Sequence, residues 1–282
     1  MNNNIDQMHF LVLKIGEAHC NSNWNYDKVC SPFTRIYYVT NGHAKVVLPN
    51  KVQELNPGCM YIIPQFTPHS CICNEEFSHY YIHIYNESDY NIFDDWILPT
   101  EITADINVLN NIKRLCQLCP SMELQHFEPQ SYDNNLTLSQ SAIASKQRKF
   151  VDRIESRAII YILLSYFMRM AHPKSSNKDR RIEGVLNFIN NNIGNKISID
   201  YLADMACVSK DYLIRLFKKE MHMTPLCYIN KRKIEKAQIR LVTEATSIKE
   251  IAYQLGFEEQ AYFNRVFKSF TGLSPMVYRK NN

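Results

Sequence analysis

Two stretches carry side chains suited to hydrogen-bonding base edges and phosphates. One runs from Ser209 to Lys219, the other from Glu259 to Ser269. Apolar residues recur at threes and fours in each: Tyr212, Leu213, Leu216 and Phe217 in the first, Tyr262, Phe263, Val266, Phe267 and Phe270 in the second. That spacing predicts two helices with one buried stripe each. The outward faces then carry Lys210, Asp211, Ile214, Arg215 and Lys218, and Glu259, Gln260, Ala261, Asn264, Arg265 and Lys268. Arg can take guanine O6 and N7, Gln and Asn can take adenine, Ala and Ile can touch a thymine methyl, and Asp can accept from cytosine N4. Lys218 and Lys268 suit phosphates, which add affinity without sequence information. Two alternatives stay open. Arg215 and Arg265 could pair with acidic residues of their own domain, and Asp211, Glu258 and Glu259 would repel a phosphate backbone.

The elements that would position these residues are short helices with clear punctuation. Ser247 followed by Glu250 is a capping-box pattern, and Ile248, Ile251, Ala252 and Leu255 form one apolar face. Gly256 stops that helix and Gly272 the next, because glycine accepts the left-handed conformation. Ser274-Pro275 starts another helix. Two short helices about a tight turn describe a helix-turn-helix. The unit is an internal repeat of Ile197–Lys219. Ala203 and Ala252 lie 49 residues apart; after the turn the offset becomes 50, as in Tyr212 and Tyr262, Arg215 and Arg265, Phe217 and Phe267, Pro225 and Pro275. A duplicated structural unit is the physical reading of such self-similarity. Cys207 and His222 stand where the second copy has Gly256 and Gly272. A helix from Thr224-Pro225 to Leu241 would join the copies, setting two reading helices about 10 bp apart on one face of a duplex.

The string Ile251-Ala252, Gly256-Phe257, Tyr262-Phe263, Arg265, Phe267-Lys268, Gly272, Ser274-Pro275 and Tyr278-Arg279 resembles the signature of the arabinose-regulator (AraC/XylS) family of bacterial transcription factors. So many fixed types at fixed spacing make the match specific. The resemblance implies base contacts at Asp211, Ile214, Arg215, Gln260, Ala261, Asn264 and Arg265. It also implies double-stranded promoter or operator DNA as a partner, with RNA polymerase as a further one.

The first hundred residues alternate short β-branched and aromatic runs with turn signals, which suggests an antiparallel sandwich or small barrel. Phe33–Thr40 ends at Asn41-Gly42, a hairpin signal, and Ala44–Leu48 is expected to pair back onto it. Met60–Ile63, Ser70–Cys73 and His79–Tyr85 continue a meander. Pro32-Phe33, Arg35, Tyr37-Tyr38-Val39, Gly42, Leu55, Pro57-Gly58, Tyr61, Ile63-Pro64 and His69 resemble the cupin-like sensor domain common in the same family. Alternate residues of a barrel strand face its interior. Arg35 and Tyr37 share one strand face, and His79, Tyr81 and His83 share another. With His69 they could line a polar pocket for a small-molecule effector such as a sugar. The opposite reading has the tyrosines as core and Arg35 outside. His69, His79 and His83, or Cys71, Cys73, Cys116 and Cys119, could also hold a metal, as in a cupin-type metalloenzyme. No acidic companion stands at an obvious spacing, so neither metal nor cofactor is expected.

From Glu101 the pattern turns helical. Phe150–Ala171 is the strongest helix, with Phe150, Ile154, Ala158, Tyr161, Leu164 and Met168 along one face and Ile159, Ile160, Ile162 and Leu163 on other sides. Such a helix must be covered, either by the barrel or by a second copy in a homodimer. His172–Lys178 is Pro-, Ser-, Asn- and Lys-rich and reads as a linker. The resulting plan is α+β. Residues 1–100 form a ligand-sensing antiparallel barrel, 101–172 a helical dimerisation and linking region, and 173–179 a linker. Residues 180–282 form an all-α DNA-binding domain with helix-turn-helix units at about 197–220 and 247–271.

Charge supports the division. The chain of 282 residues has a net charge of only +4, yet Lys178–Asn282 holds 18 Lys+Arg against 11 Asp+Glu. A basic end suits a polyanion. Nine cysteines, an odd number in a long chain without a signal-peptide pattern, suggest reduced thiols and a cytoplasmic protein. No apolar run is long enough to span a bilayer. The reading that follows is a sequence-specific, effector-controlled DNA-binding transcription regulator rather than an enzyme. A metalloenzyme with an appended helical domain and a ligand-independent DNA-binding protein are the alternatives.

Overall fold

The structure, a computed structural model, describes residues 8–87, 91–174, 179–221 and 223–281. The chain divides into two compact units, Met1–His172 and Pro173–Asn282.

In the first unit the strands are β1 (Phe10–Cys20), β2 (Tyr26–Val29), β3 (Thr34–Gly42), β4 (Ala44–Leu48), β5 (Lys51–Leu55), β6 (Cys59–Ile63), β7 (His69–Ile72), β8 (Phe77–Asn86), β9 (Trp96–Ile97) and β10 (Glu101–Thr103). The helices are α1 (Ile92–Asp95), α2 (Ile106–Leu118), α3 (Pro129–Tyr132), α4 (Asn135–Gln147) and α5 (Phe150–Met168). One sheet has the order β1-β8-β3-β6-β10 and another the order β2-β7-β4-β5. The period-2 pattern sorts side chains to two cores. Tyr37, Val39, Tyr61, Ile63 and Tyr81 meet Val46, Leu55 and Cys71 of the second sheet. Ile36, Tyr38, Met60, Ile62, Tyr80 and Ile82 face the other way, onto α2 and α5.

Three expectations are corrected. Asn41-Gly42 does not close a hairpin. Both edges of β3 are taken, by β6 and β8, while β4 pairs with β5 and β7 in the other sheet. Gly42 is the corner where the chain changes sheets. It has φ 73°, and a Cβ there would lie 1.9 Å from the Glu76 carbonyl oxygen, so only glycine fits. Glu101–Thr103, read as the start of a helical stretch, is strand β10, paired with β6 from Tyr61 to Cys59. The inward face of α5 is Ser156, Ile159, Ile160, Leu163, Leu164 and Phe167. Phe150 and Ile154, assigned to the principal face, are exposed, as are Val151 and Ile162. An apolar stripe that wraps most of a helix leaves the sequence without a preferred side.

The second unit is helical: α6 (Arg180–Asn191), α7 (Ile199–Met205), α8 (Lys210–Met221), α9 (Pro225–Thr243), α10 (Ile248–Gln254), α11 (Gln260–Thr271) and α12 (Pro275–Asn281). Hydroxyl caps set the helix starts. The Oγ atoms of Ser198, Ser209, Ser247 and Ser274 accept from the backbone amides of Tyr201, Tyr212, Glu250 and Val277. Gly256 and Gly272 have φ of 66° and 77°, as expected of helix stops. Cys207, the counterpart of Gly256, is forced to φ 53°. His222 lies outside the described residues. Cys207→Gly should therefore raise the stability of this unit by about 0.5–1 kcal/mol, the left-handed strain less the added freedom of the unfolded chain. Denaturant titration checks this; an unchanged midpoint would show that Cys207 carries no strain.

Each helix-turn-helix has its own core. Ile182, Val185, Leu202, Leu213 and Phe217 close the first; Ile251, Leu255, Phe257, Phe263 and Phe267 close the second. The connector α9 belongs to both, lending Tyr228 and Ile229 to the first and Ile234, Ala237 and Leu241 to the second. Among the described residues no helix is long and apolar enough to cross a membrane.

Candidate functional site

The outward faces of α8 and α11 are built by their buried stripes. Leu213 and Phe217 anchor α8, and Phe263, Val266 and Phe267 anchor α11. The remaining faces present Lys210, Asp211, Arg215 and Lys218, with Ile214 half-buried, and Ala261, Arg265 and Lys268, with Gln260 and Asn264 half-buried. Lys210 is held to Asp200 at 3.0 Å. Among the described residues neither Arg215 nor Arg265 pairs with a carboxylate, although Arg265 lies over the Tyr262 ring at 5.4 Å. Glu258 is matched by Lys196 at 2.5 Å, so one of the acidic groups beside α11 is countered within the domain. The Asn264 Oδ1 atom is buried without a hydrogen-bond partner among the described residues.

Between the two sheets of the first unit lies the polar interior. Arg35, Tyr37, His69, His79, Tyr81 and His83 are all buried, and Arg35 is only 2% exposed. Its guanidinium donates to the Tyr132 hydroxyl at 2.9 Å, to Ser31 Oγ at 2.5 Å and to His83 Nε2 at 3.1 Å. Asp133 Oδ2 lies 3.5 Å away and also takes a hydrogen bond from Ser31. An arginine can only donate. His83 must therefore accept through Nε2 and carry its proton on Nδ1. His69 Nδ1 lies 2.9 Å from the Thr67 carbonyl, so that nitrogen carries the proton and Nε2 is a bare acceptor. Burial drives both rings toward the neutral form, helped by the Arg35 charge: His69 falls to about 4 and His83 well below its ordinary value. His79 falls to about 3, first through burial, and stacks on Phe77 with centroids 4.5 Å apart. Tyr81 is fixed differently, its hydroxyl accepting from the Leu124 amide at 2.8 Å.

Arg35 Nε, His69 Nε2, His79 Nδ1 and His83 Nδ1 are buried without a hydrogen-bond partner among the described residues. They alternate with aromatic faces: Trp24 lies against Tyr37 and Phe77, and Phe33 against His83. Trp24, Phe33, Phe77, Tyr132 and Asp133 were not singled out as site residues from the sequence. Strand alternation could have supplied Phe77, two residues before His79. Nothing local marks Tyr132 and Asp133, which arrive from α3 and its C-cap. Among the described residues no group of three or more His, Cys, Asp or Glu is placed to hold a metal.

A family model described as an AraC-like ligand binding domain matches residues 14–137, and one described as a helix-turn-helix domain matches residues 202–281. The chain belongs to the AraC family of transcriptional regulators. It is 36% identical over 100 residues to the transposon Tn10 TetD protein of Escherichia coli, covering 36% of this chain and 72% of that one. It is 30% identical over 105 residues to the uncharacterized HTH-type transcriptional regulator YdeC of Bacillus subtilis, covering 37% and 36%. A longer likeness, 22% over 277 residues, spans 96% of this chain and 93% of the raffinose operon transcriptional regulatory protein RafR of Pediococcus pentosaceus. The chain spans about a third to a half of the length of YdeC and of two further curated relatives it matches. In this AraC-family chain the matched segments contain both sites described above.

Proposed function

We propose that this chain is a sequence-specific DNA-binding transcription regulator controlled by a small molecule held between the two sheets of its first unit. The observation that carries the DNA reading is the repeat itself. Arg215 and Arg265 stand at matching positions of two reading helices, both exposed and neither spent on a carboxylate among the described residues. Base contacts then fall to Asp211, Ile214, Arg215, Gln260, Ala261, Asn264 and Arg265, and phosphate contacts to Lys210, Lys218 and Lys268. Arg265→Ala should weaken binding to a duplex selected from a random pool by about 1–3 kcal/mol and relax base preference at one position. Lys268→Ala should weaken all sequences alike and lower the salt slope by about 1. Binding isotherms on selected and randomised duplexes decide; equal losses on both for Arg265→Ala would remove it from the readers.

The effector reading rests on orphaned donors and acceptors set among aromatic faces. Hydroxyl groups both donate and accept, so a neutral sugar matches the His83 Nδ1 donor, the His69 Nε2 acceptor and the Trp24, Phe33 and Phe77 faces. The name of the raffinose operon relative supports that class. Thermal shift with a panel of mono- and oligosaccharides, followed by DNA binding in their presence, tests it. A sugar that stabilises the first unit and leaves DNA affinity unchanged would end the control reading, because control needs different affinity for two states. The exposed Phe150, Val151, Ile154 and Ile162 of α5 suit a second copy of the chain, which sedimentation of the full chain tests. The same reading places the protein in the cytoplasm, with promoter DNA and RNA polymerase as partners.

A further inference from the structure

The connector α9 carries a buried lysine that no reading of the DNA or effector site uses. Lys233 is 4% exposed, and its Nζ donates to the Asn195 carbonyl at 2.9 Å and the Gly256 carbonyl at 3.1 Å. It also lies 5.2 Å above the Phe257 ring. The two carbonyls belong to different halves. Asn195 follows Ile193, a core residue of the first helix-turn-helix. Gly256 is the turn of the second, between Leu255 and Phe257 of its core. Lys233 itself falls between Ile229, the last α9 residue of the first core, and Ile234, the first of the second. No carboxylate takes this ammonium among the described residues, and burial lowers it to about 8.

The backbones meet at the same seam. A Cβ on Gly256 would lie 2.5 Å from the Asn195 carbonyl carbon and oxygen and 2.8 Å from the Lys196 nitrogen. A Cβ on Gly194 would lie 3.3 Å from the Gln254 carbonyl oxygen. Lys196 and Glu258 close the rim. Two cores that share only α9 could swing about it. A buried cation held by one carbonyl from each removes that freedom, and charge-assisted hydrogen bonds are the strong ones.

We propose that Lys233 is a positioning residue that locks the second helix-turn-helix against the first, so that the two reading helices enter DNA in one fixed register. This rests on the DNA-reading function proposed above. The lock touches no DNA; it acts on the spacing the pair accepts.

The test uses the full chain, wild type and Lys233→Met, and a duplex selected from a random pool by the wild type. Further duplexes carry one to three base pairs inserted between the half-sites, or one half-site alone. The wild type should reject the insertions. Lys233→Met should lose about tenfold on the uninterrupted duplex, the scale of couplings carried by residues that contact no ligand. It should then discriminate poorly between spacings, with the single half-site bound as before. Its salt slope should match the wild type, since no phosphate contact is removed. Amide hydrogen exchange on the free protein gives an independent readout. Exchange should quicken at 193–197 and 254–258 while residues 213–217 and 263–267 stay protected. Unchanged spacing preference with an unchanged seam would overturn the proposal. So would loss of protection in both cores, which would make Lys233 a stability residue instead. If the wild type shows no sequence preference at all, the DNA reading fails, and the exchange pattern still decides whether Lys233 locks the seam.

Discussion

Lowering the pH from 7 to 5 is expected to remove on the order of 4 kcal/mol of stability from the first unit, about 2 kcal/mol for each of His69 and His79, with His83 acting in the same direction. All three rings are buried. Burial is the largest cause of each lowered value; the Arg35 charge adds to it at His69 and His83, and His19 adds to it at His79. In the unfolded chain the same rings titrate near 6.5. Between that value and about 4 for His69 and about 3 for His79, the unfolded state therefore holds more protons than the folded one, and His83 adds to the difference in the same sense. Acidification through this window favours unfolding. Asp133 acts in the opposite direction: burial raises its carboxyl, so the folded state takes up that proton first and offsets part of the loss. A loss of this size is a large part of the stability of a typical domain. The second unit has a single histidine, His222, outside the described residues. Thermal melts across a pH series should thus split, with the first transition falling steeply below pH 6.5 and the second holding. His79→Phe should remove about 2 kcal/mol of the fall. Parallel transitions in wild type and variant would mean that these rings are protonated in the folded state.

Helices α8 and α11 were legible because their signal is local. Capping serines, stop glycines and apolar residues at threes and fours all lie within one stretch, and the 50-residue repeat states the pattern twice. Strand alternation put Arg35 and Tyr37 on one strand face and His79, Tyr81 and His83 on another for the same reason, and left open which faces point inward. What failed was long-range. Asn41-Gly42 has the chemistry of a hairpin turn, and a sheet-changing corner asks for the same residue types; only the pairing of β3 with β6 and β8 distinguishes them. Tyr132 and Asp133 reach Arg35 across nearly a hundred residues, from a polar segment with no period. Lys233 is one basic residue in a connector rich in them. Its burial depends on two glycine-bearing turns that meet only in the folded domain. Local physics therefore announced the outward side chains of α8 and α11, and tertiary packing supplied what holds them and what balances the buried arginine.

That balance makes Asp133→Ala the second large effect. It is expected to destabilise the first unit by about 3–5 kcal/mol, the cost of leaving one member of a buried ion pair alone. Arg35→Met should cost less. The two partners differ in how they can escape. Asp133 keeps 12% of its side chain exposed, and burial already raises its carboxyl, so without Arg35 it can take a proton and become neutral. Arg35 is 2% exposed and a guanidinium does not deprotonate in a protein, so without Asp133 its charge stays buried. Ser31, Tyr132 and His83 would still accept from it, but none is an anion. The same asymmetry predicts a chemical rescue. Formate or acetate should raise the melting temperature of Asp133→Ala above that in chloride of equal ionic strength, and should do nothing for Arg35→Met. Melting of the three proteins in the two salts checks both statements. If Asp133→Ala proved milder than Arg35→Met, the carboxylate would not be what balances the guanidinium, and the three neutral acceptors would have to carry it.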